Sequence, residues 1–258
     1  MVDAGALQVI KTLRGAGYVA FLAGGCVRDM VLGRPPKDWD VATDADPRTV
    51  AGLFDRTLEV GAQFGISVVV IDGDHYEVAR FRRDGPYRDG RRPESVEFVD
   101  AVVDARRRDF TINGMFYDPL SKDLVDYVGG QEDLAAGLVR AIGDPVARFG
   151  EDYLRLLRAV RFAARFDFTI EIETFAAIRA HAGHIATISA ERICTELTGL
   201  LTDGGAVRGL QLLDESGLLE VVLPEVAAMR GVQQPPQFHP EGDVWTHVKL
   251  LFEYLEQP

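Results

Sequence analysis

Lys37-Asp38-Trp39-Asp40-Val41 is the segment whose residue types most directly suggest chemistry. In an extended strand, residues two apart point to the same face, so Asp38 and Asp40 present two carboxylates side by side, with Trp39 on the other face. Two negative charges that close call for a cation between them. Hard divalent ions such as Mg2+ take carboxylate oxygens and keep other positions open for phosphate oxygens. An Asp-x-Asp alone is more commonly a turn or a surface pair, and its surroundings decide its meaning. Upstream stands Gly24-Gly25-Cys26-Val27-Arg28-Asp29, between an expected strand and an expected helix. The glycines permit close backbone approach, the helix start offers free N–H groups, and Arg28 supplies a planar fork suited to phosphate oxygens. The combination describes a triphosphate cradle beside a metal pair. The spacing does not match G-x-G-x-x-G, which argues against a dinucleotide-binding fold.

The elements that must hold these residues follow from periodicity and turn chemistry. Residues 3–15 read as an amphipathic helix ended by Gly15–Gly17, residues 18–22 as a strand, 27–32 as a helix and 39–42 as a second strand. Pro47 opens a helix to about Phe54. The β-branched run 66–71, the turn Asp72-Gly73-Asp74 and residues 76–81 predict a hairpin. Residues 82–93 are polar and rich in glycine and proline, which predicts a mobile loop, and 96–99 resumes a strand. From about Asp144 strand signals vanish. Helices are expected at 153–166, 171–182, 190–202 and 205–215. The first of these carries Arg155, Arg158, Arg161 and Arg165 at spacings of three and four, hence on one face. The fold class expected is an α/β head with a mixed sheet (1–143), an all-α neck (144–230), and a linker with the start of a possible body region (231–258). The last part ends in an apolar helix, 244–255, that needs a partner.

Gly24-Gly25-x-Val27-Arg28-Asp29, then Leu32-Gly33 and Asp38-x-Asp40, resembles the class II tRNA nucleotidyltransferase and bacterial poly(A) polymerase family. The resemblance runs on through Arg107-Arg108-Asp109-Phe110-Thr111-Ile112-Asn113, Asp126–Asp133 around Gly129-Gly130, Glu151-Asp152-x-x-Arg155, and Ser189-Ala190-Glu191-Arg192-Ile193 to Leu197. It implies a nucleotidyltransferase head followed by a helical neck. Asp38 and Asp40 would hold two Mg2+ ions, one activating the tRNA 3′ hydroxyl and one bracing the leaving pyrophosphate. Glu77 falls where the family often has a third carboxylate; its alternative is a surface glutamate. Gly24, Gly25 and Arg28 would meet the triphosphate. Arg108, Asp109 and Asn113 would hold the nucleotide and shape its sugar site, and Gly129-Gly130 would be a hinge. The family uses the pair at Asp152 and Arg155 as a protein template: the aspartate accepts and the arginine donates, and together they read the Watson–Crick edges of C and A. Arg158 and Arg161 would contact triphosphate or primer. The alternative for this arginine row is a helix laced by i,i+3 and i,i+4 ion pairs.

Three activities share these motifs: full CCA addition, addition of only C or only A, and poly(A) synthesis. The 82–93 segment, with Arg88, Asp89 and Arg91, looks like the family's flexible loop, which argues for an enzyme able to add A. The run Val60-Gly61-Ala62-Gln63-Phe64-Gly65 lacks the basic pattern of poly(A) polymerases. The partners implied are the tRNA 3′ end, CTP and ATP. A binding module without catalysis and a small-substrate nucleotidyltransferase are the rivals; the intact carboxylate pair speaks against the first, the Asp152/Arg155 and neck motifs against the second. A net charge of −12 does not oppose an RNA partner, because the arginines cluster at 80–92, 106–108 and 155–165. The two cysteines, Cys26 and Cys194, have no metal-ligand spacing and are expected to pack as small apolar side chains. With no membrane-length apolar run, a reducing cytoplasm is the expected compartment. The tail stretch His239–His247 is similar to one that in some members leads into a body or an HD-type hydrolase region. His239, His247 and Asp243 fall short of an HD metal set, so a packed linker is expected.

Overall fold

The computed structural model describes residues 2–58, 64–85 and 95–256. The chain divides into two compact units between Ala136 and Gly137, earlier than the expected division after residue 143. The reason is local: Leu138–Val139 pairs in parallel with Thr169–Ile170, which ties those residues to the second unit.

The first unit is α1 (Ala4–Gly15), β1 (Ala20–Ala23), α2 (Gly25–Val31), β2 (Val41–Thr43), α3 (Pro47–Leu53), β3 (Thr57–Leu58), β4 (Ile66–Ile71), β5 (Asp74–Arg80), β6 (Arg82–Asp84), β7 (Val96–Phe98), α4 (Ala101–Arg107), β8 (Phe116–Asp118), β9 (Asp123–Val125) and α5 (Gly130–Ala135). Asp3 caps α1 by accepting from the Ala6 N–H at 3.0 Å, and Asp46 caps α3 before a proline at its start. Asp72 and Gly73 both take positive φ, 52° and 95°, the backbone a two-residue hairpin needs to join β4 to β5. Seven strands form one mixed sheet in the order β3-β4-β5-β2-β1-β8-β9. The pairs are antiparallel except β2 with β5, which run parallel. Phe81, Phe116 and half-buried Phe21 cluster with Ala23, Ala42, Ala101 and Ala105 on one face, their ring centroids 5.9–6.4 Å apart. Aromatic burial of this kind is the main stabilising contribution in a small sheet domain.

The second unit opens with β10 (Leu138–Val139) and continues through α6 (Pro145–Glu151), α7 (Leu154–Phe166), β11 (Thr169–Ile170), α8 (Ile172–His181), α9 (Ala190–Thr202), α10 (Ala206–Ser216), α11 (Leu219–Val222), α12 (Pro224–Ala227) and α13 (Val244–Glu256). The β10–β11 pair corrects the expectation that strands end at 144. The central helix α7 buries Leu156, Leu157, Val160 and Phe162 and packs on α9 and α10. Gly205 is required where α10 begins: its φ is +80° and a Cβ there would stand 2.2 Å from the Ala164 carbonyl. α13 packs on α10; its Trp245 is buried, while Leu251, Tyr254 and Leu255 stay exposed.

Candidate active site

The head site is built where β1 ends and β2 begins. β2 starts at Val41, so Asp38 lies in a bend and Asp40 directly precedes the strand, which corrects the expected strand over 39–42. The Asp40 backbone is nonetheless held in line, because its carbonyl accepts from the Ala23 N–H at 3.0 Å. Val41 pairs with Val78 in the parallel ladder, so Asp40 and Glu77 each stand one residue before that pair. The carboxyl of Asp40 is pushed up to about 6 by burial and then by the negative charge of Glu77; Asp38 adds to the rise and Arg108 opposes it. Asp38, Asp40 and Glu77 thus share one electrostatic neighbourhood.

Gly24 follows β1 with φ +72°, a backbone that favours glycine; a Cβ there would stand 2.9 Å from Arg108 Nη1, so the arginine's end would have to shift. Gly25 opens α2. Arg28 is buried at 4% exposure, and its guanidinium is pinned inside the protein. It donates through Nε and Nη2 to Asp29 at 2.8 and 2.7 Å, and through Nη1 to Asn113 at 2.7 Å. The sequence predicts Arg28 as a fork for phosphate; in the structure its guanidinium is buried and holds Asp29 and Asn113. Asn113 in turn donates to Asp109 at 3.0 Å, and Asp109 accepts the Phe110 N–H at 2.8 Å. Arg108 sits at the end of α4, donates to the Asn113 carbonyl at 3.3 Å and lies 5.1 Å from the Phe116 ring centroid.

Asp104, which sequence reasoning missed, anchors this arginine. It is 1% exposed. It accepts from Arg108 Nη2 at 3.1 Å, Arg107 Nε at 2.8 Å and the Arg82 backbone N–H at 3.1 Å. Burial alone would raise its carboxyl, but Arg107 and Arg108 outweigh burial and hold it below the usual value. Its place four residues before Arg108 on one helix was the available signal.

Gly129-Gly130 does structural work within the same unit. A Cβ at Gly130 would stand 2.3 Å from the Thr111 carbonyl, so the glycine lets α5 seat against the single 3-10 turn Thr111–Asn113. Thr111 donates to Asp133 at 2.7 Å across that contact, and the Asp126 carboxylate accepts from Val128, Gly129 and Gln131 at 2.8–3.0 Å.

In the second unit Asp152 and Arg155 do not occupy one helix face. Asp152 has an extended backbone (φ −155°, ψ 104°) between α6 and α7, and Arg155 lies in the first turn of α7. They also have separate partners. Arg192 of α9 grips Asp152 with two N–H groups at 3.2 and 2.6 Å. Arg155 donates to Glu151 at 2.5 Å and to the Arg148 carbonyl at 2.7 Å. Of the i,i+3 and i,i+4 ion pairs weighed from the sequence for this row, Arg155 has one, with Glu151 four residues before it; Glu151 also pairs with Arg148 of α6. Further along, Glu196 of α9 pairs with Arg158 at 3.4 Å and Arg161 at 2.7 Å. Glu196 is buried and was not singled out from sequence. Cys26 is buried as expected and its thiol is pushed up to about 11, chiefly by burial. Cys194 is exposed, contrary to expectation, because its position on α9 faces away from α7 and α10.

Two family models match the chain: the poly A polymerase head domain over residues 20–140, and the probable RNA and SrmB-binding site of polymerase A over residues 167–230. The chain belongs to the tRNA nucleotidyltransferase and poly(A) polymerase family. It is 46% identical over 223 residues to a CCA-adding enzyme of Geobacillus thermodenitrificans, covering 86% of this chain and 55% of that one. It resembles the crystal structure of the Bacillus stearothermophilus CCA-adding enzyme in complex with CTP, with a TM-score of 0.76 and 41% identity over 83% of this chain and 52% of that one. A tRNA nucleotidyltransferase complexed with a primer tRNA and an incoming ATP analog matches with a TM-score of 0.71 and 26% identity, covering 95% and 74% of the two chains. The chain spans about half the length of the curated relatives it matches.

As a member of this family, the chain is expected to use a divalent metal, and the donor set fits one. Asp38, Asp40 and Glu77 are hard oxygen donors; the Asp40 carboxyl is raised chiefly by desolvation and then by the charge of Glu77, with Arg108 opposing. Among the described residues the ligand atoms of these three do not all lie within 4.8 Å of one another. The family's flexible-loop positions Arg88, Asp89 and Arg91, and residues 60–63, lie outside the described residues. Among the described residues no helix is long and apolar enough to cross a membrane.

Proposed function

We propose that this chain transfers CMP and AMP from CTP and ATP to the 3′ end of tRNA, building or repairing the CCA end. The observation that carries this reading is the carboxylate cluster of half-buried Asp40 with exposed Asp38 and Glu77, set beside the glycine turn and Arg108. Such a site is poised for a cation and for the triphosphate a cation accompanies. Two Mg2+ ions held by Asp38 and Asp40, with Glu77 as a third carboxylate, would polarise the attacking 3′ hydroxyl and stabilise the leaving pyrophosphate.

The protein's own part is positioning. Gly24 and Gly25 keep the turn free of side chains so that phosphates approach the backbone. Arg108, fixed by Asp104 and the Asn113 carbonyl, presents positive charge at the acidic cluster. Asp109 and Asn113 form a rigid pair, braced by Arg28, that shapes the sugar site. In the helical unit, Asp152 and Arg155 read the base edge. Each holds an internal partner that a base would replace or share, Arg192 for the first and Glu151 for the second. Arg158 and Arg161 supply charge for triphosphate or primer. We assign catalysis to the first unit, which ends at Ala136, nucleotide selection to the second unit up to residue 230 and a linker to 231–258, and place the reaction in the cytoplasm.

Primer extension tests the proposal on three tRNA transcripts, ending before the CCA, after one C and after both, each with CTP, ATP or both, and Mg2+. Addition of C, C and A that then stops is expected. A added only to the CC-ended tRNA would restrict the activity to the terminal step, and a long A ladder would replace it with poly(A) synthesis.

A further inference from the structure

A cluster of three rings in the helical unit adjoins Asp152. Tyr153 precedes α7, His181 ends α8, and His184 lies in the 3-10 helix Ala182–Thr187. Tyr153 and His184 stack with centroids 4.7 Å apart and planes 19° from parallel. His181 closes the triangle, tilted against both, at 5.9 Å from Tyr153 and 5.4 Å from His184. Burial is graded across the three: Tyr153 and His181 are half-buried and His184 is exposed. The Nδ1 of His181 is buried without a hydrogen bond, so that nitrogen does not fasten the cluster and ring packing does. The residues around His184 are small. Gly183, Ala186 and Thr187 are exposed, and a Cβ added at Gly183 would meet nothing within 4 Å.

We propose that the Tyr153–His184 pair is a stacking subsite for a nucleobase, with His184 as the outer ring. This rests on the reading of Asp152 and Arg155 as the pair that meets the base edge, and adds the face of the base to its edge. Hydrogen bonds along an edge hold a base within its own plane, whereas a ring laid against its face fixes the plane itself. Tyr153 directly follows Asp152, and consecutive Cα atoms stand about 3.8 Å apart, so the stack is tied to the edge-reading carboxylate. Asp152 is itself fixed, accepting from Arg192 at 3.2 and 2.6 Å and from the Leu154 N–H at 3.0 Å. A stack that served packing alone would bury its outermost ring. Here the second member stands in solvent, where another flat π-face can add to it. Two sources supply such a face: the base of the incoming nucleoside triphosphate, and an unpaired base at the 3′ end of the RNA primer.

Imidazole NMR on the whole, unaltered chain tests this. A base laid on a histidine ring moves the ring's Cε1–H signal upfield through its ring current. Of the five histidines, His184 is expected to move most, and His239 and His247 not at all; the His184 signal is the one missing from His184→Phe. Titration with CTP or ATP in one arm, and with a tRNA transcript ending in both Cs in the other, tells whether the base belongs to the incoming nucleotide or to the primer. In the arm that moves the signal, His184→Ala should weaken binding by about fivefold or more and His184→Phe should hold it within about twofold, because stacking needs a ring rather than its nitrogens. Circular dichroism verifies that both variants fold. An unmoved His184 signal in both arms overturns the proposal, as does a loss of affinity in His184→Phe equal to that in His184→Ala. Asp152→Ala separates the stack from the reading beneath it. A His184 shift together with unchanged selection among triphosphates in Asp152→Ala upholds the stack and removes the edge reading; an unmoved signal together with lost selection does the reverse.

Discussion

The two units use arginine in different ways. In the head, carboxylates outnumber the arginine that faces them: Asp40 feels Glu77 and Asp38 as well as its own burial, and Arg108 alone opposes the rise. On α7, Arg155, Arg158 and Arg161 each have a glutamate within ion-pair distance, and Asp152 has Arg192. An uncompensated cluster demands a ligand, whereas a compensated row holds its shape and exchanges partners when a ligand arrives. The first is the arrangement for chemistry and the second for selection.

The largest expected effect breaks the head side of that contrast. Asp40→Ala should lower single-turnover primer extension by about 10³-fold or more while circular dichroism stays unchanged, since the residue supplies an oxygen ligand rather than packing. Near wild-type rates from a folded variant would remove the carboxylates from the mechanism.

Next comes Asp104→Ala. It strips Arg107 and Arg108 of their buried partner and should destabilise the fold by about 3 kcal/mol, read from urea unfolding. Unchanged stability and activity would mean that Arg108 finds its place without Asp104.

Asp40→Asn sharpens the charge argument by stability alone. The folded-state pKa of Asp40 is raised to about 6 from an ordinary 3.8, so its ionised form is penalised by folding. That penalty is full above about pH 6 and disappears below the ordinary value. In metal-free buffer the asparagine variant should therefore be more stable than wild type at pH 8, by about 1–3 kcal/mol, and equal to it near pH 3.5. An equal melting temperature at both pH values would mean that Asp40 is not under that strain.

The smallest effect belongs to the compensated row. Arg192→Ala frees Asp152, and the preference for CTP and ATP over GTP and UTP should fall by roughly tenfold in competition assays, about 1.4 kcal/mol. Unchanged discrimination would leave Asp152 held by some other group.

Much of this was readable beforehand where the physics is local. The β-branched run 66–71 and the Asp-Gly turn predicted β4 and its hairpin, and the helix expected at 190–202 is α9. Apolar periodicity and turn chemistry act within a few residues, so one strand of sequence carries them. Short elements escaped: β8, β9 and α4 span three to seven residues, too few for a period to declare itself. The strand assigned to Asp38 and Asp40 shrank to Val41–Thr43 because pairing with β1 and β5 decides where β2 begins.

The sequence by itself determined the order of the motifs, the identity of the candidate ligands and the spacing of the arginines along α7. Tertiary structure alone decided which charges are neutralised. Arg28 meets Asn113 across 85 positions, Arg192 meets Asp152 across 40, and Glu77 raises Asp40 from a neighbouring strand. Charge strength depends on distance and burial, and both are set by how distant segments pack rather than by spacing along the chain.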